Sequence, residues 1–465
     1  MLHKNDICEG LVEGYGTDGE GIIKKDGTTV FVPFCIVGEK VAFKVLKVKN
    51  NIAYGKLISV LEPSKDRAVP PCPVFGKCGG CDIQHIDYSA QREFKRATVA
   101  NALSKIGGIT FPVNGTVPSE RQYDYRNKLA LPIGIINGET VIGFYAPRSH
   151  RIIPIDNCNI QVEWVKDVIA AVKQFANTGF RGYDEQDGTG ELRHIVVREM
   201  KGKFIFALVC TKKIDLSPFV DILKQKFKQF TLLLNINSEN TNAIFGKRFF
   251  TVYGDGFFGA EEFGISYRAG ANTFLQVNDG MRTRLYSAVL DQAEEGVTAI
   301  DLYSGGGLLT AMLAKKCGCA YGIEIVEEAS RCADELKEQN GLDGKMFNIC
   351  GRVEEEVDKV FAKTKGKRII VCDPPRKGIE RSAVKAIKNS GADKIIYISC
   401  NPATLARDLG LLTGSLVEEN GALVKCDSPV TEYKISSITP FDMFPQTRHV
   451  ETLAVLSRKT DTTNN

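Results

Sequence analysis

Alternating apolar and polar positions mark the beginning of the chain. Short runs such as Thr29–Val32 and Val41–Val45 are separated by Gly- and Asp-rich turns such as Asp26–Gly27. A period of two residues predicts β-strands, because successive side chains of a strand point to opposite faces. The number and spacing of the runs predict a small OB-like barrel of five strands over residues 1–62. A Pro-rich, polar stretch over 61–71 then predicts a linker.

The pattern changes twice farther along the chain. Over 63–270, a helical stretch from about 88 to 106 precedes short strands interrupted by amphipathic helices near 161–177 and 216–228, which predicts a central α+β domain. From 271 to 465, strands alternate with helices, which predicts a Rossmann-like α/β domain with a parallel sheet. Its expected strands are Val297–Ile300, Ala320–Ile323, Ile369–Cys372, Ile395–Ile398 and Thr452–Leu456.

Composition narrows the class of protein. The 465 residues are 43% hydrophobic and 25% charged, and no apolar run approaches the roughly 20 residues of a membrane span. The N-terminus resembles neither a signal peptide nor a transit segment, so we expect a cytoplasmic protein. The net charge is +4, and residues 63–130 hold ten basic and six acidic side chains, which favours a basic face in that region. No obligate protein partner is evident.

Fourteen cysteines require an explanation other than disulfides, because reducing compartments rarely keep structural disulfides. Three of them, Cys72, Cys78 and Cys81, are close in sequence, and Cys158 lies farther along. Three closely spaced thiolates with a distant fourth can hold either an iron–sulfur cluster or zinc. The spacing alone does not choose between the two.

Three strand ends carry the features of a nucleoside-cofactor site. The Gly-rich turn 301–307, which includes Gly305, joins a strand to a helix and lets the backbone approach a ligand. The next strand ends in Glu324, whose carboxylate can accept hydrogen bonds from ribose hydroxyls. Asp373 and two prolines follow a third strand and look like the fourth motif of methyltransferases. Amino-group methyltransferases usually have an aromatic residue next, where this chain has Arg376.

Cys400 ends a fourth strand, and it should share the sheet edge of Asp301, Glu324 and Asp373. Carbon 5 of uracil is too weak a nucleophile to take a methyl group unaided. A thiolate that adds to carbon 6 makes carbon 5 nucleophilic, so a covalent cysteine step is chemically motivated. The proton on carbon 5 must then leave, and Glu451, at the entry to the last strand, is a suitable base. His449 is a competing candidate.

The ordered motifs 301–305, 373–378, 399–402 and 449–451 resemble the RNA uracil-5-methyltransferase family, and the resemblance covers essentially the whole chain. It implies transfer of a methyl group from S-adenosylmethionine to uracil carbon 5, with Cys400 as nucleophile and Glu451 as proton acceptor. It also implies a set of cofactor contacts: Gln276, Tyr303, Gly305, Glu324 and Asp373. Gln276 belongs to the family's Phe-x-Gln-x-Asn element.

The same resemblance implies how the other regions act. Residues 1–62 are similar to a TRAM domain, an RNA-binding barrel, and the four cysteines match a [4Fe-4S] site. Together these features favour 23S ribosomal RNA as the substrate, with a uridine flipped out of a single-stranded loop. The expected RNA contacts are Arg126, Lys128 and Phe274, with the basic stretch 148–151 as a further candidate.

Two departures and four alternatives remain. Ser304 stands where the family often has cysteine, and Leu308 stands where Thr or Asn is common, so a polar contact to the cofactor is in doubt. Transfer RNA is the alternative substrate, and zinc is the alternative metal. An RNA cytosine-5-methyltransferase would usually carry a second cysteine where Arg376 stands. A non-catalytic RNA-binding protein with a cluster is disfavoured by the intact Cys400 and Glu451.

Overall fold

The computed structural model describes residues 2–273, 275–426, 428–429 and 431–459. They build a closed barrel and two large sheets that follow one another along the chain, with two small hairpins. Within the described ranges, no helix is both long and apolar enough to cross a membrane.

The N-terminal barrel confirms the predicted five-stranded unit. Its strands close in the order β1-β2-β3-β5-β4. Asp26 and Gly27 connect β2 to β3 with φ angles of 49° and 75°, the left-handed backbone that a tight hairpin turn requires. Inward-facing apolar residues such as Val30 and Phe43 are completely buried. The strands are β1 (Ile7–Tyr15), β2 (Gly21–Lys25), β3 (Thr28–Val32), β4 (Lys40–Lys49) and β5 (Ile52–Glu62).

A mainly antiparallel sheet of seven strands forms the middle of the molecule, in the order β12-β11-β10-β9-β6-β7-β8. Two amphipathic helices, α2 (Val165–Ala176) and α3 (Ser217–Lys224), cover one face and share its apolar core. Residues of the other face, such as Val196 and Ile205, pack into the core of the third unit. The strands are β6 (Lys128–Ile136), β7 (Glu139–Tyr145), β8 (Ile152–Pro154), β9 (Leu192–Met200), β10 (Lys203–Cys210), β11 (Phe230–Ile236) and β12 (Arg248–Tyr253).

The third unit is the Rossmann-like sheet that the sequence predicts. Its order is β17-β16-β15-β18-β19-β23-β22, and only β23 runs antiparallel to its neighbours. The strands are β15 (Thr298–Leu302), β16 (Cys319–Glu324), β17 (Met346–Cys350), β18 (Arg368–Cys372), β19 (Lys394–Ser399), β22 (Tyr433–Phe441) and β23 (Glu451–Arg458). The helices are α4 (Asp279–Leu290), α5 (Leu308–Cys317), α6 (Glu327–Gln339), α7 (Val353–Lys363), α8 (Arg381–Asn389) and α9 (Pro402–Thr413). A small hairpin, β20 (Leu416–Glu419) and β21 (Ala422–Lys425), follows α9.

Two segments that precede this sheet in sequence pack into its cores. Helix α1 (Tyr88–Lys105) contributes Val99 and Leu103 to the core that also contains residues of α9. After α1, a Cβ atom on Gly107 would lie 2.6 Å from a backbone oxygen of α9, so the close approach needs glycine. The hairpin of β13 (Phe258–Glu262) and β14 (Ile265–Ala269) packs on the opposite face of the sheet. Both faces are therefore covered partly from outside the α/β unit.

Candidate active site

The carboxyl ends of four parallel strands bring most of the predicted site residues to one edge of the third sheet. Glu324 ends β16, Asp301 lies on β15, Asp373 follows β18, and Cys400 follows β19. The pairing registers are continuous across β16, β15, β18 and β19, so these strand ends are level with one another. This edge therefore carries three carboxyl groups followed by a thiol, and we refer to it as the catalytic edge.

The Gly-rich turn after β15 borders open space. Tyr303, Gly305 and Gly307 all have left-handed φ angles, of 64°, 54° and 79°. A Cβ atom on Gly305 would meet nothing within 4 Å, whereas one on Gly307 would lie 2.6 Å from Cβ of Ala333. Gly307 thus closes the turn onto the following helices, and Gly305 leaves room for a ligand beside the backbone.

Glu324 is held at the rim of this space. Its carboxylate accepts hydrogen bonds from the backbone N–H groups of Gly305, at 2.9 Å, and Val326, at 2.8 Å. A carboxylate has about four lone-pair positions, so it can still accept hydrogen bonds from hydroxyl groups of a ligand. The glycine turn and the half-buried carboxylate fit the ribose and tail of a nucleoside cofactor.

Two neighbouring carboxyl groups are strongly desolvated. Burial raises the pKa of Asp301 to about 7, although Oγ1 of Thr310 donates to it at 2.6 Å. Burial also raises the pKa of Asp373 to about 7. Asp301 and Asp373 are therefore each partly protonated near neutral pH, which reduces the negative charge at this edge.

Gln276 lies in the segment that leads into α4. The residue is buried, and its backbone carbonyl oxygen accepts a hydrogen bond from the Arg282 side chain at 3.2 Å. The next residue, Val277, accepts a hydrogen bond from the backbone N–H of Asn127. This segment therefore joins the middle sheet to the catalytic edge.

Cys400 and Glu451 are adjacent because β23 runs antiparallel to β19. Ser399 pairs with Thr452, so the residue after β19 lies beside the first residue of β23. Glu451 is buried, and its Oε2 atom has no hydrogen-bond partner within the part of the chain that the structure describes. Burial, followed by the charge of Asp373, raises the pKa of Glu451 well above the ordinary value. The sequence predicted Glu451 at the start of a strand near Cys400, but not that this strand would pair antiparallel with β19.

Neighbouring groups shift the pKa of the Cys400 thiol in opposite directions. Burial, and then the Glu451 carboxylate, raise its pKa to about 11, while the charge and hydrogen bond of Arg376 act in the opposite direction. The thiolate is the nucleophilic form of cysteine. Arg376 is thus the group at this edge that favours the reactive form.

The start of helix α9 fixes the backbone of Arg376. The Asn401 amide donates to the Arg376 carbonyl at 3.0 Å, and the Thr404 hydroxyl donates to it at 3.3 Å. Farther along the helix, buried Asp408 accepts a hydrogen bond from the N–H of Ile379 at 2.8 Å. The loop after β18 is therefore tied to the helix that follows Cys400.

Helix α1 holds the 442–449 segment, which leads into Glu451. Lys95 and Asp442 form a completely buried ion pair. Gln91, one turn earlier on α1, donates to the side chain of Gln446 at 3.0 Å and accepts from its backbone N–H at 3.1 Å. Sequence reasoning missed these residues. The available signal was polar Gln91 and Lys95 on the same helical stripe as apolar residues of α1.

The loop after Cys81 fastens the same segment from another side. The N–H of Ile83 donates to the Gln446 carbonyl at 3.2 Å. Arg448 binds Asp82 at 2.9 Å, and it also reaches Asp18 of the barrel at 3.5 Å. The barrel, the cysteine-rich loop and the catalytic segment therefore meet at one arginine.

The four predicted metal-ligating cysteines line a single cavity of about 810 Å³, whose other walls include Arg126, Arg376 and His449. The ligand set is Cys72, Cys78, Cys81 and Cys158. Burial is the main cause that raises the pKa of Cys81. The charges of the other three cysteines raise it further, so these thiols lie near one another. Among the described residues, however, no group of three or more His, Cys, Asp or Glu side chains is arranged to hold a metal ion. The cluster predicted from the sequence is thus not shown.

A family model described as tRNA (Uracil-5-)-methyltransferase matches residues 197–459, which include the whole catalytic edge. The chain belongs to this family of RNA uracil-5-methyltransferases. It therefore shares the dependence on S-adenosylmethionine that the sequence predicted. The match does not include the barrel or the four cysteines.

Whole-chain relatives agree with this membership. A Clostridium acetobutylicum protein named as an uncharacterized RNA methyltransferase is 38% identical, with 98% of each chain covered. A Halalkalibacterium halodurans protein with the same description is 37% identical, also over 98% of each chain. A crystal structure of the Pyrococcus abyssi tRNA (uracil-54, C5)-methyltransferase in complex with S-adenosyl-L-homocysteine superposes with a TM-score of 0.76. It is 25% identical and covers 96% of this chain and 99% of that one.

The RNA contacts expected for this uracil-5-methyltransferase fall in different places. Arg126 and Arg148 line the cysteine cavity. Lys128 is half-buried at the start of β6, and burial, then Arg198, lower its pKa to about 8. Phe274 lies outside the described residues. Of the three predicted contacts, Arg126 is therefore the one that the described residues show near the catalytic edge.

Proposed function

We propose that this protein methylates carbon 5 of a uridine in a single-stranded loop of 23S ribosomal RNA. Cys400 is the nucleophile and Glu451 is the proton acceptor. The observation that carries the proposal is the β19–β23 register, in which the thiol and the buried carboxyl group are side by side at the catalytic edge.

The side chains at the edge divide the reaction between them. The Cys400 thiolate forms a bond to uracil carbon 6, and the displaced electron pair makes carbon 5 nucleophilic. S-adenosylmethionine supplies the methyl group when it is bound. The Glu451 carboxylate then takes the proton from carbon 5, the carbon 5–carbon 6 double bond forms again, and the thiolate leaves. Arg376 favours the thiolate at the beginning and at the end of this cycle.

The cofactor is assigned to the glycine turn and the carboxyl groups beside it. Open space next to Gly305, and the spare hydrogen-bonding capacity of Glu324, support binding of the ribose and the amino-acid tail. Gln276, Tyr303 and Asp373 complete the proposed contacts. Ser304 lies in the same turn and supplies a hydroxyl group, whereas Leu308, the first residue of α5, supplies an apolar side chain.

Two candidate substrates differ in their support. Ribosomal RNA is favoured because the barrel and the four cysteines together resemble the branch of the family that modifies 23S ribosomal RNA. Transfer RNA is the second candidate, because the Pyrococcus abyssi enzyme acts on uracil 54 of tRNA and its structure resembles nearly the whole chain. Both substrates would present a flipped, unpaired uridine.

The test uses RNA that carries 5-fluorouridine, incubated with the protein and S-adenosylmethionine. Fluorine at carbon 5 cannot leave as a proton, so the Cys400–RNA bond should persist on a denaturing gel. We expect an adduct with 23S fragments that Cys400→Ala abolishes. Cys8→Ala is the matched control, because Cys8 lies on β1 of the barrel, outside the third sheet.

Each outcome of this test separates one part of the proposal. An adduct that survives Cys400→Ala would remove the nucleophile assignment. Adducts with tRNA transcripts but not with 23S fragments would transfer the activity to the second candidate. Adducts with neither RNA would contradict uracil methylation by this chain.

We also propose that Cys72, Cys78, Cys81 and Cys158 hold a [4Fe-4S] cluster. The donor set fits, because four thiols face one cavity and no carboxylate is among its described lining residues. A single zinc ion needs its ligands at about 2.3 Å from the metal, whereas a cluster of several irons accepts thiolates that are farther apart. Iron and sulfide analysis of anaerobically purified protein tests this; zinc without iron would contradict it.

A further inference from the structure

The cysteine cavity has a second end, next to the catalytic edge. Arg376, Phe444 and His449 line this end, and Arg126 and Gln161 connect it to the cysteines, since Gln161 pairs with Arg126 and bonds to Cys158. Arg376 is near enough to Cys400 that its charge lowers the pKa of the thiol, and His449 is two residues before Glu451. A ligand bound at this end would therefore lie near a uracil held by Cys400.

Gln161 has hydrogen-bonding capacity that the protein does not use. Only 2% of the residue is exposed, and its side-chain oxygen has no hydrogen-bond partner among the described residues. The backbone is fixed, since Gln161 pairs with Arg126 in an isolated bridge and donates its N–H to the Cys158 carbonyl at 3.0 Å. A buried polar group without a partner destabilises the fold, because it has lost its hydrogen bonds to water. A ligand that bonds to this amide would offset that loss.

The surroundings of the amide suit an RNA base. Arg126 and Arg376 supply positive charge, and the described lining contains no carboxylate. Burial, with Arg448 and Arg376 nearby, lowers the pKa of His449 to about 4, so its ring is neutral at physiological pH. The Phe444 and His449 rings meet edge to face at 6.2 Å. Aromatic faces next to cations are the usual platform for unpaired bases.

We propose that this end of the cavity binds a second unpaired base of the substrate RNA, an adenine close to the target uridine, which Gln161 recognises. A glutamine amide pairs with adenine through two hydrogen bonds, accepting from N6 and donating to N7. The terminal amide can rotate to present both atoms. A cavity of about 810 Å³ has room for a base beside the cysteines. The inference rests on the proposed function, since it needs RNA at the catalytic edge.

The experiment uses hairpin RNAs whose loop carries one 5-fluorouridine and one variable neighbouring base. Adenosine is replaced in turn by purine riboside, 7-deazaadenosine, guanosine, cytidine and uridine. Affinity and the rate of adduct formation are measured separately. We expect one neighbouring position at which adenosine binds about tenfold to a hundredfold more tightly than the replacements. Purine riboside and 7-deazaadenosine should each lose part of this preference.

Gln161→Ala should bind all the RNAs with nearly equal affinity. Gln161→Glu should still bind adenosine more tightly than purine riboside, which lacks the N6 amino group. It should no longer distinguish adenosine from 7-deazaadenosine, which lacks N7. Gln225→Ala is the control, because this exposed glutamine ends α3 far from the cavity in sequence. Thermal unfolding and iron content of Gln161→Ala show whether the fold and the cysteine site are intact. The base series on the unmodified protein remains decisive if they are not.

Equal affinity for all bases at every neighbouring position would overturn the inference, as would a preference for guanosine or a pyrimidine. An adenine preference that Gln161→Ala leaves unchanged would also overturn it. Failure to form any adduct, with the adenine preference intact, would contradict the proposed methylation chemistry and leave the base-binding site standing.

Discussion

The two halves of the catalytic edge are built in different ways. The half proposed to bind the cofactor contains Gly305, Glu324 and Asp373, which lie at the ends of three adjacent strands, and Glu324 is held by backbone N–H groups of the same α/β unit. The half that carries Cys400 and Glu451 depends on contacts such as Lys95–Asp442, which join residues 347 positions apart in the chain. One half can therefore form locally, whereas the other requires α1 and the cysteine loop to be docked.

Because of this difference, we expect some substitutions to slow methyl transfer without weakening cofactor binding. Loss of a support for the 442–449 segment should move Glu451 while leaving the glycine turn in place. The buried Lys95–Asp442 pair is the clearest such support, because removing one partner leaves an uncompensated charge in the interior. The three predictions below test whether the halves respond independently, beginning with the largest expected effect.

Glu451→Gln should lower turnover by about a hundredfold to ten-thousandfold, the usual contribution of a general base. The carboxamide cannot take the proton from carbon 5, so a covalent adduct should accumulate even with RNA that carries ordinary uridine. Affinity for S-adenosylmethionine should not change. Denaturing gels and calorimetric titration provide the measurements. Unchanged turnover would remove Glu451 from its role, and His449→Ala would then be the next variant to test.

Lys95→Met should lower the free energy of unfolding by about 3–5 kcal/mol, because Asp442 would remain buried without its partner. Turnover should fall more than cofactor affinity does, at temperatures where the variant is folded. Arg96→Met is the matched control, since Arg96 is the next residue and its ion pair with Glu93 is exposed. That pair should contribute no more than about 1 kcal/mol.

The double variant Lys95→Met, Asp442→Leu separates stability from positioning. It removes both charges, so most of the lost free energy of unfolding should return. Turnover should stay low, because the hydrogen bonds that place the segment before Glu451 are still missing. Recovery of both quantities together would show that the ion pair stabilises the fold without positioning the base.

Arg376→Gln should slow adduct formation by a smaller factor, and its signature is a pH profile. The pKa of Cys400 is about 11, so the thiolate fraction should rise about tenfold per pH unit below that value. Arg376 lowers this pKa, so removing its charge raises the pKa further and reduces the thiolate fraction at every lower pH. Initial rates of adduct formation between about pH 6 and pH 9 measure the effect.

Arg376→Lys is the control for charge, and it should recover part of the rate. A rate for Arg376→Gln that equals or exceeds that of the unmodified protein would show that Arg376 does not favour the thiolate. A cofactor affinity that falls in parallel with the rate would break the proposed independence of the two halves.

The sequence by itself determined the elements and most of the cofactor half. Period-two runs predicted the barrel, alternating strands and helices predicted the parallel sheet, and both are present. The ends of parallel strands share one edge, so strand positions alone placed Glu324, Asp373 and Cys400 together. These inferences succeed because periodicity, glycine turns and strand ends are local properties of the chain.

Only the tertiary structure decided what surrounds Cys400. Nothing local in the sequence specifies that β23 enters antiparallel beside β19, which brings Glu451 to the thiol. Lys95 is a charged residue that composition would place at the surface, yet it is completely buried against Asp442. Likewise, Gln161 lies beside Arg126 only once the chain has folded. Such contacts join distant segments, and their free energy comes from burial that the packed molecule alone creates.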